Sequence, residues 1–138
     1  MRALITGGAG FIGSHIAEQL VARGDAVRVV DNLSSGHREN LAHLGHGVEL
    51  VVGDVRDAEL MRRVARGCEV VFHQAAVVSV PYSVEHPQET HDVNIQGTLK
   101  ILSHRLRDTT IHSRLELQTQ VPCLPQQINQ VVMNLVVN

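Results

Sequence analysis

Eight residues near the amino terminus have the types and spacing to hold a diphosphate: Thr6-Gly7-Gly8-Ala9-Gly10-Phe11-Ile12-Gly13. Gly8, Gly10 and Gly13 satisfy G-x-G-x-x-G, while Gly7, Gly10 and Gly13 satisfy the looser G-x-x-G-x-x-G. Without Cβ atoms a turn can be tight, a phosphate can approach the backbone, and a helix can pack closely on the strand before it. The chemistry is anion binding, because a helix amino end offers unpaired N–H groups and the positive end of its dipole. A second group suits the same ligand. Asp31 lies roughly twenty residues beyond the turn, where a carboxylate can accept hydrogen bonds from the adenosine ribose hydroxyls. It would also repel a 2′-phosphate, so the pattern favours NAD over NADP. Each feature has a plainer alternative taken alone: the glycines as an ordinary tight turn, Asp31 as a strand-end aspartate.

These groups need elements to position them. The apolar run Ala3-Leu4-Ile5 precedes the turn, and a helix follows from about Ile12 to Ala22, with Ile12, Ile16 and Leu20 on one face. Gly24 is placed to end it. Ala26-Val27-Arg28-Val29-Val30 is a second apolar run, closed by Asp31. After the polar loop Asn32 to Gly36 and a histidine-rich connector, Val48 to Val52 reads as a third strand, closed by Gly53-Asp54. Asp57 is a candidate N-cap for a helix carrying Leu60, Met61 and Val64. Gly67 breaks that helix, and Val70-Val71-Phe72 forms a fourth strand leading into His73-Gln74-Ala75-Ala76. Near-continuous apolar strands alternating with helices predict a parallel sheet covered on both faces. Ligands of such sheets sit at the carboxyl ends of the strands, where Gly7 to Gly13, Asp31, Asp54 and Gln74 to Ala76 all fall. The predicted fold class is α/β. It is a Rossmann-type doubly wound parallel sheet, N-terminal part only, of about four strands, followed by a short strand and helix foreign to it.

Five motifs in order, TGGAGFIGSH, DNLSSG, GDVRD, HQAA and VNIQGTLKIL, resemble the NAD-dependent sugar-nucleotide epimerase/dehydratase family. These are the extended short-chain dehydrogenases, with UDP-glucose 4-epimerase-like members nearest in flavour. The resemblance covers roughly residues 1 to 102. It implies a cofactor, NAD, and a set of residues to hold it. Gly7, Gly10 and Gly13 would form the turn, with Phe11 and Ile12 meeting the pyrophosphate through their backbone. Asp31 and Asn32 would hold the adenosine ribose. Asp54 would accept from the adenine amino group, with Val55 beside the ring. Gln74, Ala75, Ala76 and Val78 would line the middle of the cofactor, and Asn94 would lie near the nicotinamide. Asparagine is unfavourable inside a helix, which independently marks Asn94 as special.

The family pattern also implies groups that are missing. Its Tyr-x-x-x-Lys pair exchanges a proton with the sugar hydroxyl while the cofactor takes hydride, and the lysine lowers the tyrosine pKa. No tyrosine follows Tyr82 and no lysine follows Lys100; four residues after Tyr82 stands His86. Tyr82 therefore reads as a packing or loop residue, and no catalytic residue is assigned. Every glycine lies at or before Gly97. Ile111, Ser113, Leu115 and Leu117 alternate with polar residues as a half-exposed strand would, and Ile128, Val131, Val132, Leu135 and Val136 recur at helical spacing. The run from Leu124 to Asn138 resembles the N-box helix that opens a histidine-kinase ATP-binding domain, with Asn134 toward nucleotide and Asn138 toward magnesium. The expected organisation is a truncated NAD-binding domain over 1–103 and a foreign tail over 104–138, joined by a fusion, frameshift or rearrangement.

Composition bounds the rest. At 138 residues and net charge −2, the chain is one domain's worth with no basic footprint for nucleic acid. Cys68 and Cys123 have no metal spacing and read as reduced thiols, and neither a leader nor a membrane span is visible, so a cytoplasmic location is expected. His43 and His46 share a glycine-containing loop that itself holds no cysteine or carboxylate, so no metal is expected. The sequence thus describes the NAD-binding portion of a nucleotide-sugar epimerase or dehydratase, isomerase-like in flavour and catalytically incompetent as it stands. Two alternatives remain open: a non-catalytic nucleotide-binding module, with self-association through an open sheet edge, or an inert fusion fragment.

Overall fold

The computed structural model describes residues 1–105. Four strands, β1 (Arg2–Thr6), β2 (Ala26–Asp31), β3 (Val48–Val52) and β4 (Val70–His73), form one sheet in the order β3-β2-β1-β4. All three pairings are parallel, with Leu4 opposite Arg28 on one side and Val71 on the other. Six helices connect and flank them: α1 (Phe11–Ala22), α2 (Glu39–Ala42), α3 (Ala58–Ala65), α4 (Val80–Glu85), α5 (Pro87–His91) and α6 (Thr98–Arg105). A wide π turn, Asp92–Gly97, joins α5 to α6. The strand and helix expected beyond Arg105, with Asn134 and Asn138, lie outside the described residues.

Alternation along the two central strands builds two cores. Leu4 and Val30 point into one, with Val71, Leu60, Met61 and Val64 of α3 and Ile101 of α6. Ala3, Ile5, Val27 and Val29 point into the other, with Ala17 and Leu20 of α1 and Leu41 of α2. Successive side chains of a strand face opposite ways, so a strand apolar at every position must be covered twice. β1 meets that requirement from Ala3 to Thr6, and β2 does so apart from its exposed first residue and the half-buried Arg28. The outer strand β3 does not: Val52 is 48% exposed and Glu49 faces solvent, so continuous apolarity overstated its burial. Among the described residues β3 and β4 are the two edges of the sheet.

Local chemistry sets the helix ends. Gly24 has φ +85 and donates to Val21 O, while Asp25 N donates to Leu20 O; together these satisfy the last carbonyls of α1. Asp57 caps α3, its Oδ1 accepting from Glu59 N and Leu60 N at 3.0 Å each. The apolar periodicity of α1 does not coincide with its buried face. Its buried face is Gly13, Ser14, Ala17 and Leu20, whereas Ile12 is 60% exposed and Ile16 only half-buried. The small residues win that face because they let the helix axis approach the sheet closely. Ile12, Ile16 and Leu20 instead share an apolar groove with Phe11 and Phe72.

Leu4 is fully buried at the centre of the sheet. Its replacement by alanine should lower the unfolding free energy by about 2–5 kcal/mol, measured by urea denaturation. A loss well below ~1 kcal/mol would mean that β1 is not the central strand.

Candidate functional site

The glycine turn runs from the carboxyl end of β1 to the first turn of α1. Gly7 has φ +67, and a Cβ there would lie 2.6 Å from Ala75 N, so the chain leaving β4 presses directly on the turn. A Cβ on Gly13 would stand 2.4 Å from Gly7 O and 2.6 Å from Gly8 Cα. Only glycine fits either position. Gly10 differs, because its φ of −78 and ψ of 178 suit any residue. A Cβ built there meets only Gly7 O, at 3.3 Å, a tight contact but a far milder one than at Gly7 or Gly13. Gly10 is also the N-cap of α1, and no side chain caps that helix. Its amino end is left to the solvent or a ligand.

Asp31, at the end of β2, is bound to this turn. Its Oδ2 accepts from Ala9 N at 2.9 Å and its Oδ1 from Leu33 N at 2.8 Å, with the residue 8% exposed. Leu33 takes φ +61, a left-handed conformation costly for a branched residue, and the bond to Asp31 helps hold it there. The other side of the Ala9 peptide is fixed too: Ala9 O accepts from His37 N at 3.0 Å and from Asn40 Nδ2 at 2.8 Å. Sequence reading missed Asn40, which lies in the histidine-rich connector with no motif around it.

Asp54, after β3, is engaged differently. Its Oδ1 accepts from Arg56 N at 2.8 Å and Arg56 Nε at 2.9 Å. Its Oδ2 accepts from Arg56 Nη2 at 2.7 Å and from Asn32 Nδ2 at 3.2 Å. A carboxylate has about four lone-pair positions, so this one is full. Hydrogen bonds from the Arg56 side chain hold the carboxyl down at about 2. The bond from Asn32 ties Asp54 to the residue after Asp31, so both aspartates lie on the glycine-turn side of the molecule.

The strand ends enclose a cleft of about 550 Å³. The turn contributes Gly7, Gly10, Phe11, Ile12 and Gly13; the ends of β2 and β3 contribute Asp31, Asn32, Asp54 and Val55; and the connector after β4 contributes Gln74, Ala75, Ala76 and Val78. Asn94 alone among the expected residues does not line it. Its carboxamide instead pinches one residue of the connector, accepting from Val77 N at 2.7 Å and donating to Val77 O at 2.9 Å. Ser34, Ser35, Ser79, Tyr82 and Glu89 line the cleft without having been anticipated. Tyr82 belongs to α4 rather than to a loop, and its hydroxyl donates to Glu89 Oε2 at 2.6 Å. That bond raises the tyrosine pKa, the reverse of what a phenol needs to move a proton near neutral pH. Among the described residues His43 and His46 are exposed, and no group of three metal-capable side chains occurs.

His73 sits beneath the cleft, 3% exposed, between two hydroxyls. Its Nδ1 lies 2.5 Å from Thr6 Oγ1 and its Nε2 lies 2.8 Å from Thr98 Oγ1. Burial pushes its pKa down to about 4, so the ring is neutral at ordinary pH.

Residues 4–116 match the sequence model of the GDP-mannose 4,6 dehydratase family. The chain is 44% identical over 104 residues to the UDP-glucose 4-epimerase of Mycolicibacterium smegmatis, covering 73% of this chain and 33% of that one. The crystal structure of Thermus thermophilus UDP-glucose 4-epimerase in complex with NAD superposes with a TM-score of 0.70 at 48% identity, covering 78% of this chain and 34% of that one. The dTDP-glucose 4,6-dehydratase DesIV of Streptomyces venezuelae, solved with NAD and TYD bound, gives a TM-score of 0.72 at 40% identity, covering 78% of this chain and 36% of that one. The chain spans about a third of the length of the curated relatives it matches. Among the described residues no helix is long and apolar enough to cross a membrane.

The buried imidazole makes stability depend on pH in a defined window. The unfolded ring takes up its proton near pH 6.5 and the folded ring only near 4. Between those values the unfolded state holds more protons, so stability should fall as pH drops from 6.5 toward 4, by up to about 3 kcal/mol. The contribution of Asp54 is lost only below that range, as pH falls from 3.8 toward about 2. Urea midpoints measured from pH 7 to pH 4 should show this slope, and the His73→Gln variant should flatten it. An equal slope in both proteins would assign the effect elsewhere.

Proposed function

The chain belongs to the NAD-dependent sugar-nucleotide epimerase/dehydratase family, and on that premise we propose that its cleft is the seat of the adenosine and diphosphate of NAD. The observation that carries this reading is the joining of two complementary groups at one place. The uncapped amino end of α1 offers N–H donors to a diphosphate, and the Asp31 carboxylate, fixed to the same turn through Ala9 N, offers acceptors to ribose hydroxyls. The residues fit the group sterically as well, since Gly10, the N-cap without a side chain, leaves the backbone open where phosphate oxygens would approach.

Placement around the cleft supports the other roles. Phe11 and Ile12 present their backbone at the helix start, and Asn32 stands beside Asp31 for the same ribose. Asp54 and Val55 border the adenine end. Because Asp54 is already saturated, an adenine amino group would compete with its weakest donor, Asn32 at 3.2 Å, rather than fill a vacant position. Gln74, Ala75, Ala76 and Val78 form the wall along the middle of the cofactor, and Asn94 serves the nicotinamide end through its hold on Val77.

The chemistry NAD supplies in such a site is acceptance and return of hydride at a sugar carbon. Among the described residues neither Tyr82 nor Lys100 is placed to exchange the accompanying proton. Tyr82 donates to Glu89 with a raised pKa, and Lys100 Nζ donates to Arg56 O. The polypeptide is therefore read as binding NAD without turning over a UDP-sugar.

Calorimetric titration of the 138-residue protein with NAD should give a dissociation constant on the order of micromolar. Gly10→Ala, whose backbone dihedrals suit any residue, should weaken binding by at least about tenfold while lowering the thermal midpoint far less than Gly13→Ala does. No heat from the parent protein would overturn the binding assignment. Epimerase turnover of UDP-glucose at ordinary enzyme rates would overturn the inactivity.

A further inference from the structure

We propose that His73 is a positioning residue: as the neutral Nε2–H tautomer it closes a proton-ordered chain that fixes the connector Gln74–Val78 along one wall of the cleft. The tautomer follows from counting hydrogens. Thr98 Oγ1 donates to Asn94 O at 2.7 Å, which spends its only hydrogen. Its oxygen can then only accept from the ring, so Nε2 carries the proton across the 2.8 Å contact. Nδ1 is left as an acceptor for the Thr6 hydroxyl. Thr6 Oγ1, having donated, accepts from Ala75 N at 3.4 Å. Every donor in the sequence has one acceptor, and the direction is uniform. The opposite tautomer turns the Thr98 hydrogen toward the ring and away from Asn94 O. It also leaves the Thr6 hydroxyl hydrogen with no acceptor among these contacts.

The two ends of the chain meet on the same short segment. One end is the N–H of Ala75. The other is Asn94, whose carbonyl is held by Thr98 and whose carboxamide clamps both backbone atoms of Val77. Between them the ring also ties the connector to Thr6, the residue before Gly7. The imidazole thus sets the glycine turn and the opposite cleft wall relative to one another. Thr6, His73 and Thr98 are each at most 3% exposed, so no water substitutes readily for a lost partner. Burial supports the neutral ring on which the count depends. The consequence for cofactor affinity rests on the NAD reading above; the chain itself does not.

Long-range nitrogen–proton NMR of ¹⁵N-labelled parent protein at pH 7 reads the tautomer without any ligand. The Nε2–H pattern is expected for His73, and a predominant Nδ1–H pattern would overturn the proposal. In Thr98→Val, which keeps the shape and loses the hydroxyl, the amides of Ala75 and Val77 should exchange about tenfold faster, the loss of roughly one net hydrogen bond. The amide of Val29, on the far side of the sheet, should keep its rate. Equal acceleration at all three, or none, would reduce His73 to general packing and overturn the proposal. NAD affinity should fall about tenfold in Thr98→Val and recover in Thr98→Ser; unchanged affinity in Thr98→Val would also overturn it. Should the parent bind no NAD, the functional reading falls, while tautomer and exchange still decide the proton order.

Discussion

The absence of two side chains governs the geometry of this protein. At Gly7 the chain leaving β1 passes so near the chain leaving β4 that a methyl group would fall 2.6 Å from Ala75 N. At Gly13 the first turn of α1 lies against Gly7 and Gly8 with no more room. These contacts bring the amino end of α1, the end of β2 and the connector after β4 to one cleft. A methyl at either place would push the helix or the β4 connector outward by the better part of an ångström, and a packed core has little freedom to absorb that. The cleft is a by-product of the packing that the glycines permit.

Two aspartates at neighbouring strand ends show how similar residues acquire different duties. Asp31 is anchored by two backbone N–H groups from Ala9 and Leu33, so its position is set by the turn while further acceptor capacity remains. Asp54 gives both oxygens to Arg56 and Asn32, and the charge of Arg56 is partly spent on it. Arg56 also reaches Glu89 at 3.8 Å, and Glu89 holds Tyr82, so the Asp54 end of the cleft is bordered by a polar network running from β3 to α5. Its members are substantially exposed, and such pairs contribute little to stability. Their effect is on shape: they decide which donors a ligand meets there.

Much of this was legible from the chain alone, because the informative residues have few alternatives. A glycine that must carry φ +67, an aspartate ending an apolar run, and an N-cap aspartate immediately before a helical pattern each answer a backbone requirement local in sequence. What was not legible is long-range. Asn40 reaches Ala9 across 31 positions, and His73 pairs with Thr6 across 67 and Thr98 across 25. No spacing rule links such residues; only the sheet order does. Ile12, Ile16 and Leu20 do share one apolar face, yet of the three only Leu20 is buried, for a related reason. Periodicity reports that a face is apolar, whereas the close approach to the glycine turn decides which face is taken. Asn94 was singled out as odd for a helix, and the reason proved to be backbone clamping at Val77.

The π turn at 92–97 gives this region a tolerance unlike that of the rest of the chain. A helix advances about 100° per residue, so one extra residue in a turn shifts the rotational phase of all that follows. Here that phase aims Asn94 at the connector and Thr98 at the imidazole. Deleting a single residue from the segment would restore ordinary helical winding and swing those two groups off their targets, even with every other residue intact. Ile95 and Gln96 are exposed and take part in neither contact. Across descendants of this sequence, the segment should accept exchange of residues on its outer side while refusing any change in their number.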